Sequence, residues 1–144
     1  MPRKRNTRRS DCPIANALDL LGDRWSLLIV RDLVFRGFRE FGQFLAGGEG
    51  ISTNILTERL ERLQQAGLIV RSDHPRDGKK YTYRLTEKGV DLIPVLIQLV
   101  LWGAKYTPNH AAPAEVLRQM RADPDRMVAG LRATLLKELK EPAN

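Results

Sequence analysis

At 144 residues the chain has room for one domain with a real core, and 42% hydrophobic with 28% charged residues is the composition of an ordinary soluble globular protein. Its formal net charge of +7 and sequence pI of about 10.0 call for an anionic partner, and five of the cations crowd into residues 3 to 9, RKRNTRR. A single cysteine, Cys12, excludes an internal disulfide and fits a reducing cytoplasm; no apolar run follows the basic start, as a signal peptide requires; and the longest apolar run, residues 92 to 102, is well short of the roughly 18 residues of a membrane span.

Residues 1–10 read as a disordered basic arm. Pro13 favours the first turn of a helix whose apolar face is Ile14, Ala17, Leu18 and Leu21, with Gly22 able to end it. Asp23 caps a second helix, expected from Arg24 to about Phe35, with Trp25, Leu28, Ile29 and Leu33 turned inward. A short third helix is expected over Arg39 to Ala46, burying Phe41, Phe44 and Leu45, and GGEG at residues 47 to 50 is a turn.

Ser52 then caps a fourth helix, running to about residue 66. Ile55, Leu56, Leu60 and Leu63 fall on one side of it, and Asn54, Thr57, Glu58, Glu61 and Gln65 on the other. Gly67 leads into two strand candidates, Leu68 to His74 and Lys80 to Thr86. PRDGK joins them, with Asp77-Gly78 expected at the tip. Thr86 caps a long helix from Glu87 to about Tyr106, which Pro94 should kink. Residues 107 to 113 form a linker, a short helix is expected over 114 to 121, and Asp123 caps a last helix from about Pro124 to Lys140.

This order predicts a mostly helical fold with one small β-hairpin, a winged helix-turn-helix. Such a fold offers the front of its second helix, here residues 52 to 66, to a DNA major groove. Ser52, Thr53, Asn54 and Thr57 are small polar residues placed to approach base edges. The hairpin is the wing, residues 74 to 80, and its Arg76, Lys79 and Lys80 suit phosphates. Arg39 is counted with these contacts. Arg59 lies near the buried side of its helix and either braces the fold or reaches a phosphate. Glu58 either accepts from a cytosine or pairs with Arg62 at i+4.

Residues 90 to 102 are apolar on nearly every side. That predicts a two-fold interface through Leu92, Ile93, Leu96, Leu99 and Val100, a homodimer through N- and C-terminal helices to which the first helix and the last can both contribute. Three segments result: the arm over 1–10, a winged helix-turn-helix domain with its dimerisation helix over 11–106, and a C-terminal helical extension over 107–144.

CPIANALDLLGDRWSLLIVRDL, GISTNILTERLERLQQAGLIVR and YRLTEKG, in this order and spacing, resemble the HxlR-type branch of bacterial winged-helix regulators, relatives of the MarR type. The resemblance covers about residues 11 to 106. It implies a cytoplasmic homodimer that binds double-stranded operator DNA and usually represses nearby genes. It also implies, for Cys12, a candidate sensor of oxidants or electrophiles, whereas a lone cysteine is otherwise most often a small buried hydrophobe. Some features depart from the family pattern. Phe41-Gly42-Gln43-Phe44 stands where Phe-Ser-Glu-Leu is common, HPRDGKK looks more like a MarR-type wing, and residues 107 to 144 run past the usual length.

Enzyme chemistry finds no footing. His74 and His110 lie far from Cys12 in sequence, and there is no metal-ligand spacing, phosphate loop or dinucleotide fingerprint, so no cofactor or metal is expected. The rival reading is a winged-helix protein-interaction module without specific DNA binding.

Overall fold

Pro13 opens α1 (Pro13–Leu21), which closes on Gly22, whose amide donates to the Leu18 carbonyl at 2.7 Å. The computed structural model describes residues 8–141. The predicted disordered arm therefore falls mostly outside the described residues; at its inner end Arg8 pairs with Asp11 at 2.8 Å and Arg9 with Asp19.

α2 (Ser26–Phe35) begins two residues later than the sequence suggests. Arg24 and Trp25 form the turn that lets the Asp23 carboxylate reach back, accepting from the amides of Trp25 at 2.9 Å and Ser26 at 3.0 Å. Val30 and Leu33 carry α2 through the centre of the core with no exposed surface. Trp25 is only half-buried and packs against the core from outside, with the Arg24 guanidinium 5.1 Å from its ring centroid.

α3 (Phe41–Leu45) is shorter than expected, because Arg39 and Glu40 are extended. Gln43 supplies the cap, its Oε1 accepting from the amides of Arg39 at 2.7 Å and Glu40 at 3.0 Å. Phe44 is buried, whereas Leu45 is exposed, contrary to expectation. Neighbouring positions on a helix point about 100° apart, and five residues cannot turn both to one side.

The glycine turn leads through Ile51 to α4 (Thr53–Gln65), whose N-cap Ser52 accepts from the Ile55 amide at 3.3 Å. Leu56, Leu60 and Leu63 seat α4 on α2 and the hairpin. Gly67, at φ 75°, ends the helix. Its amide donates to the Gln64 carbonyl and that of Leu68 to the Leu63 carbonyl, both at 3.0 Å, a Schellman closure that a left-handed glycine permits. The chain thereby reverses within one residue and enters the sheet.

β1 (Ile69–His74) and β2 (Asp77–Leu85) pair antiparallel, from Ile69 opposite Leu85 to Asp73 opposite Tyr81. The tip is Pro75-Arg76 rather than Asp77-Gly78. His74 pairs with Asp77, and the register slips there, so residues 78 to 80 bulge from β2. Local side-chain bonds hold this shape: the Lys79 amide donates to Asp77 Oδ1 at 3.0 Å and the Arg76 amide to His74 Nδ1 at 3.1 Å. On the far side of β2, Glu40 bridges to Thr82, tying the segment before α3 to the wing.

The expected long helix is broken into α5 (Glu87–Val90) and α6 (Ile93–Tyr106). Pro94 has no amide for the Val90 carbonyl, and its ring would clash there. The chain turns at Asp91-Leu92, and Pro94 becomes a first-turn residue of α6. Glu87–Tyr106 as a whole is long and apolar enough to cross a membrane, with a mean hydropathy of 1.3. The break leaves α6 at 14 residues, short of the roughly 20 that a span needs, and α6 packs on α2 and the helices that follow.

α7 (Ala114–Ala122) and α8 (Pro124–Lys140) form a helical hairpin, with Asp123 Oδ1 capping α8 through the Arg126 amide at 3.1 Å. Leu117, Met120 and Leu135 join the same core. α8 lies across α5, α6 and β2 of its own chain.

Candidate nucleic-acid interface

The front of α4 projects from the body between the glycine turn and the wing. Ser52, Thr53, Asn54 and Thr57 are all exposed there. The Ser52 hydroxyl is engaged as the cap, and Thr57 donates its hydroxyl to the Thr53 carbonyl at 2.8 Å. Thr57 can therefore present an acceptor oxygen and a methyl group but no free donor. Among the described residues, the Thr53 and Asn54 side chains make no hydrogen bond, so Asn54 keeps both its donor and its acceptor for an outside partner.

At the wing, Arg76, Lys79 and Lys80 are exposed, and none takes part in an ion pair among the described residues. The bulge at 78 to 80 turns the two lysines out of the ladder. Sequence reading missed a fourth cation, Arg71 on β1. It is exposed, and its guanidinium lies 4.1 Å from the Tyr81 ring centroid, beside the groove between α4 and the wing. Alternation along β1 sets it on the same face as buried Ile69, so strand period alone does not mark it as exposed. Beneath it, burial pushes the Tyr83 hydroxyl above its ordinary value, against the pull of the Arg71 charge.

Two expected contacts are engaged elsewhere. Arg39 faces away from α4 and grips α8: its Nε and Nη2 meet the two carboxylate oxygens of Glu138 at 2.8 and 2.9 Å. Its Nη1 donates to the carbonyls of Leu33 at 2.9 Å and Phe38 at 2.6 Å. Four of its five N–H donors are thereby engaged within the chain. Arg59 is turned back to the body, with Nε 2.9 Å from Asp23 Oδ2 and Nη1 on Glu58. Glu58 thus pairs with Arg59 rather than with Arg62, whose Nη2 donates to the Asp19 carbonyl at 3.0 Å.

Asp23 anchors that corner. Burial alone would raise its carboxyl. The Ser26 hydroxyl, the Arg59 guanidinium and the amides of Trp25 and Ser26 outweigh burial and hold it well below the usual carboxylate range.

The expected interface residues divide. Ile93 and Leu96 are buried within one subunit at 0% and 5% exposure, and Leu92 and Val100 are half-buried against the same core. Leu99 is exposed at 48%, and with Val95, Trp102 and Tyr106 it forms a stripe along α6. Ile14 and Leu18 form a second exposed apolar pair on α1, next to the exposed Cys12 at its N-cap.

Residues 20–111 match the family described as HxlR-like helix-turn-helix. An uncharacterised HTH-type transcriptional regulator of Mycobacterium tuberculosis is 42% identical over 105 residues, which are 73% of this chain but 65% of that relative, so under two thirds of its length is spanned. A solved structure described as a transcription factor shares 39% identity with a TM-score of 0.63, over 73% of each chain. The redox regulator HypR in its oxidized form shares 28% identity with a TM-score of 0.60, over 67% of this chain and 98% of that one. With its helix-turn-helix, its wing and this match over most of its length, the chain belongs to the HxlR-like helix-turn-helix family, whose relatives named here are regulators and not enzymes.

Proposed function

We propose that this chain is a cytoplasmic, sequence-specific DNA-binding regulator that reads an inverted-repeat operator as a homodimer and represses the genes beside it. The observation that carries the reading is the front of α4, where Thr53 and Asn54 stand exposed with unengaged polar groups at the tip of a well-seated helix. That is the geometry with which a recognition helix meets base edges. Arg76, Lys79 and Lys80 on the wing supply the phosphate contacts, and the exposed stripes on α1 and α6 supply the surface for a second copy. Selection of bound sequences from random duplex DNA tests it. An enriched inverted repeat with half-sites about one helical turn apart, roughly 34 Å, is the expected result. Binding that ignores both sequence and salt would instead support the rival protein-interaction module.

Cys12 gives the proposed regulator a point of control by an electrophile or oxidant. Its thiol is exposed at the start of α1, beside the Ile14 and Leu18 pair. Diamide should weaken operator binding by the native protein and leave Cys12→Ser unaffected. Equal loss in both proteins would remove the sensor role and leave the regulator reading standing.

A further inference from the structure

We infer that Arg59 and Asp23 are positioning residues: together they set the direction in which α4 enters the groove, and neither touches DNA. This rests on the DNA-binding reading above and adds to it the part of the body that aims the recognition helix.

Arg59 sits midway along α4, with its side chain 21% exposed, and Asp23 sits at the α1–α2 corner, with its side chain 16% exposed. Their contact at 2.9 Å joins two elements that are 36 residues apart in sequence. The Asp23 carboxylate is itself fixed. Oδ2 also accepts the amides of Trp25 at 2.9 Å and Ser26 at 3.0 Å, and Oδ1 accepts the Ser26 hydroxyl at 2.6 Å. Ser26 is fully buried, so the acceptor cannot drift with the solvent. A charged hydrogen bond to so rigid an acceptor fixes a direction as well as a distance.

A second tie stands one turn further along. Arg62 donates to the Asp19 carbonyl at 3.0 Å, at the end of α1. One tie would leave α4 free to pivot about it. Two, about 4.5 Å apart along the helix axis, resist rotation as well as translation. Both end on the corner of α1, the helix whose outer face carries exposed Ile14 and Leu18. Pairing of two subunits through that face would therefore set the directions of both recognition helices. Swinging Arg59 out to a phosphate would break its bond to Asp23 and leave a half-buried carboxylate without its counter-charge, which is unfavourable.

The competing role makes opposite forecasts. As positioning residues, Arg59→Gln and Asp23→Asn should each lower affinity for the selected operator about tenfold and narrow the gap to random duplex. The slope of log affinity against log salt should stay at the wild-type value, since no phosphate contact is lost. The double variant should be no worse than the poorer single one, because both remove the same tie. As a phosphate ligand, Arg59→Gln would instead flatten the salt slope by about one. Asp23→Asn would then tighten binding, by freeing a cation and removing an anion. Either of those results overturns the proposal. If Asp23→Asn fails to fold, Arg59→Lys keeps the decision open. Lysine preserves charge but not the fork, so near-wild-type operator affinity in that variant overturns the positioning role, and a loss matching Arg59→Gln at unchanged salt slope supports it. A wild-type chain with no salt-dependent duplex binding would refute the DNA-binding reading itself, an outcome distinct from either.

Discussion

Asn54 and the wing lysines both face outward, yet they should fail in different ways when removed. An asparagine amide can pair with N6 and N7 of adenine, so it carries sequence information. Asn54→Ala should cost about 1–3 kcal/mol at its cognate base pair and relax the preference there. Lys79→Ala or Lys80→Ala should weaken every duplex alike and flatten the salt slope, since phosphates look the same in all sequences. Sequence selection repeated with each variant separates the two. An unchanged consensus for Asn54→Ala would show that another residue reads the base.

Asp23 makes a prediction of a different kind. Its carboxyl is held below the ordinary value of 3.8 in the folded chain, mainly because hydrogen-bond donors outweigh its burial. A depressed folded value means that the ionised form stabilises the fold. That contribution is complete above about pH 4, the unfolded value, and is lost as pH falls further. Denaturation of wild type and Asp23→Asn from pH 7 down to pH 2 should therefore show a stability gap that is constant at first and narrows below about pH 4. A gap that widened in acid would reverse the sign of the argument.

At the scale of elements, the close approach of α5 to the sheet depends on one residue. A Cβ at Gly89 would run into the Leu68 carbonyl oxygen and lie 2.8 Å from Leu85 Cδ2, both in or beside the hairpin. The Leu85 side chain can turn away, but the Leu68 carbonyl is backbone and already accepts the Thr86 amide at 3.0 Å, so it cannot move without disturbing the base of the hairpin. Gly89→Ala should thus cost on the order of 3 kcal/mol, the upper end for overpacking, which a shift in the urea midpoint would show. An unchanged midpoint would mean that the α5–hairpin contact yields more easily than its packing suggests.

Elements that depend on local chemistry were legible in the sequence. Ser52, Thr86 and Asp123 announced helix starts by capping, and each does cap. Leu56, Leu60 and Leu63 declared the buried side of α4 by their spacing. Less legible was what a local signal does in context. Pro94 is compatible with a kink or with a fresh first turn, and only the packing of α5 chose the second. Asp77-Gly78 has the letters of a tip, but the bulge moved the turn to Pro75-Arg76. Arg39 and Arg59 look like free cations in a string of letters. Their partners, Glu138 and Asp23, lie 99 and 36 residues away, where no periodicity points. The site was readable at α4 because exposure there follows from helix period, and at the wing because a basic, turn-forming run between two strands reads as an exposed hairpin end. It was not readable where a charge is cancelled by a distant one.

For the molecule as a whole, Val95, Leu99, Trp102 and Tyr106 make an exposed apolar stripe of the kind that marks an interaction surface, and they carry the proposed dimer. Their steps of four, three and four along α6 make one stripe, the pattern of a helix that packs against another. Leu99→Asp should leave the subunit folded, because Leu99 lies outside its core, and should convert a dimer to a monomer in sedimentation at micromolar concentration. Leu96→Asp, with 5% exposure, should unfold the subunit instead. A wild-type chain that sediments as a monomer at that concentration would set the dimer reading aside.

The grip of α8 on the front half of the chain has a bearing on how the protein is born. Arg39 and Glu138 are 99 residues apart, and Arg84 likewise donates to the carbonyls of Glu138 at 2.9 Å and Glu141 at 2.6 Å. Translation at about 5–20 residues per second separates the appearance of Arg39 and Glu138 by roughly 5–20 s. In the second half of that interval, once residue 85 has been made, the nascent helix-turn-helix can pair its wing and seat α4, since those contacts span short stretches of chain. Arg39, however, lacks the Glu138 carboxylate and keeps only the carbonyls of Leu33 and Phe38, and Arg84 lacks both of its α8 carbonyls. A ribosome is a surface of RNA. Until α8 arrives, the guanidinium groups of Arg39 and Arg84 stand open to that surface, and they are engaged only once the last helix has closed.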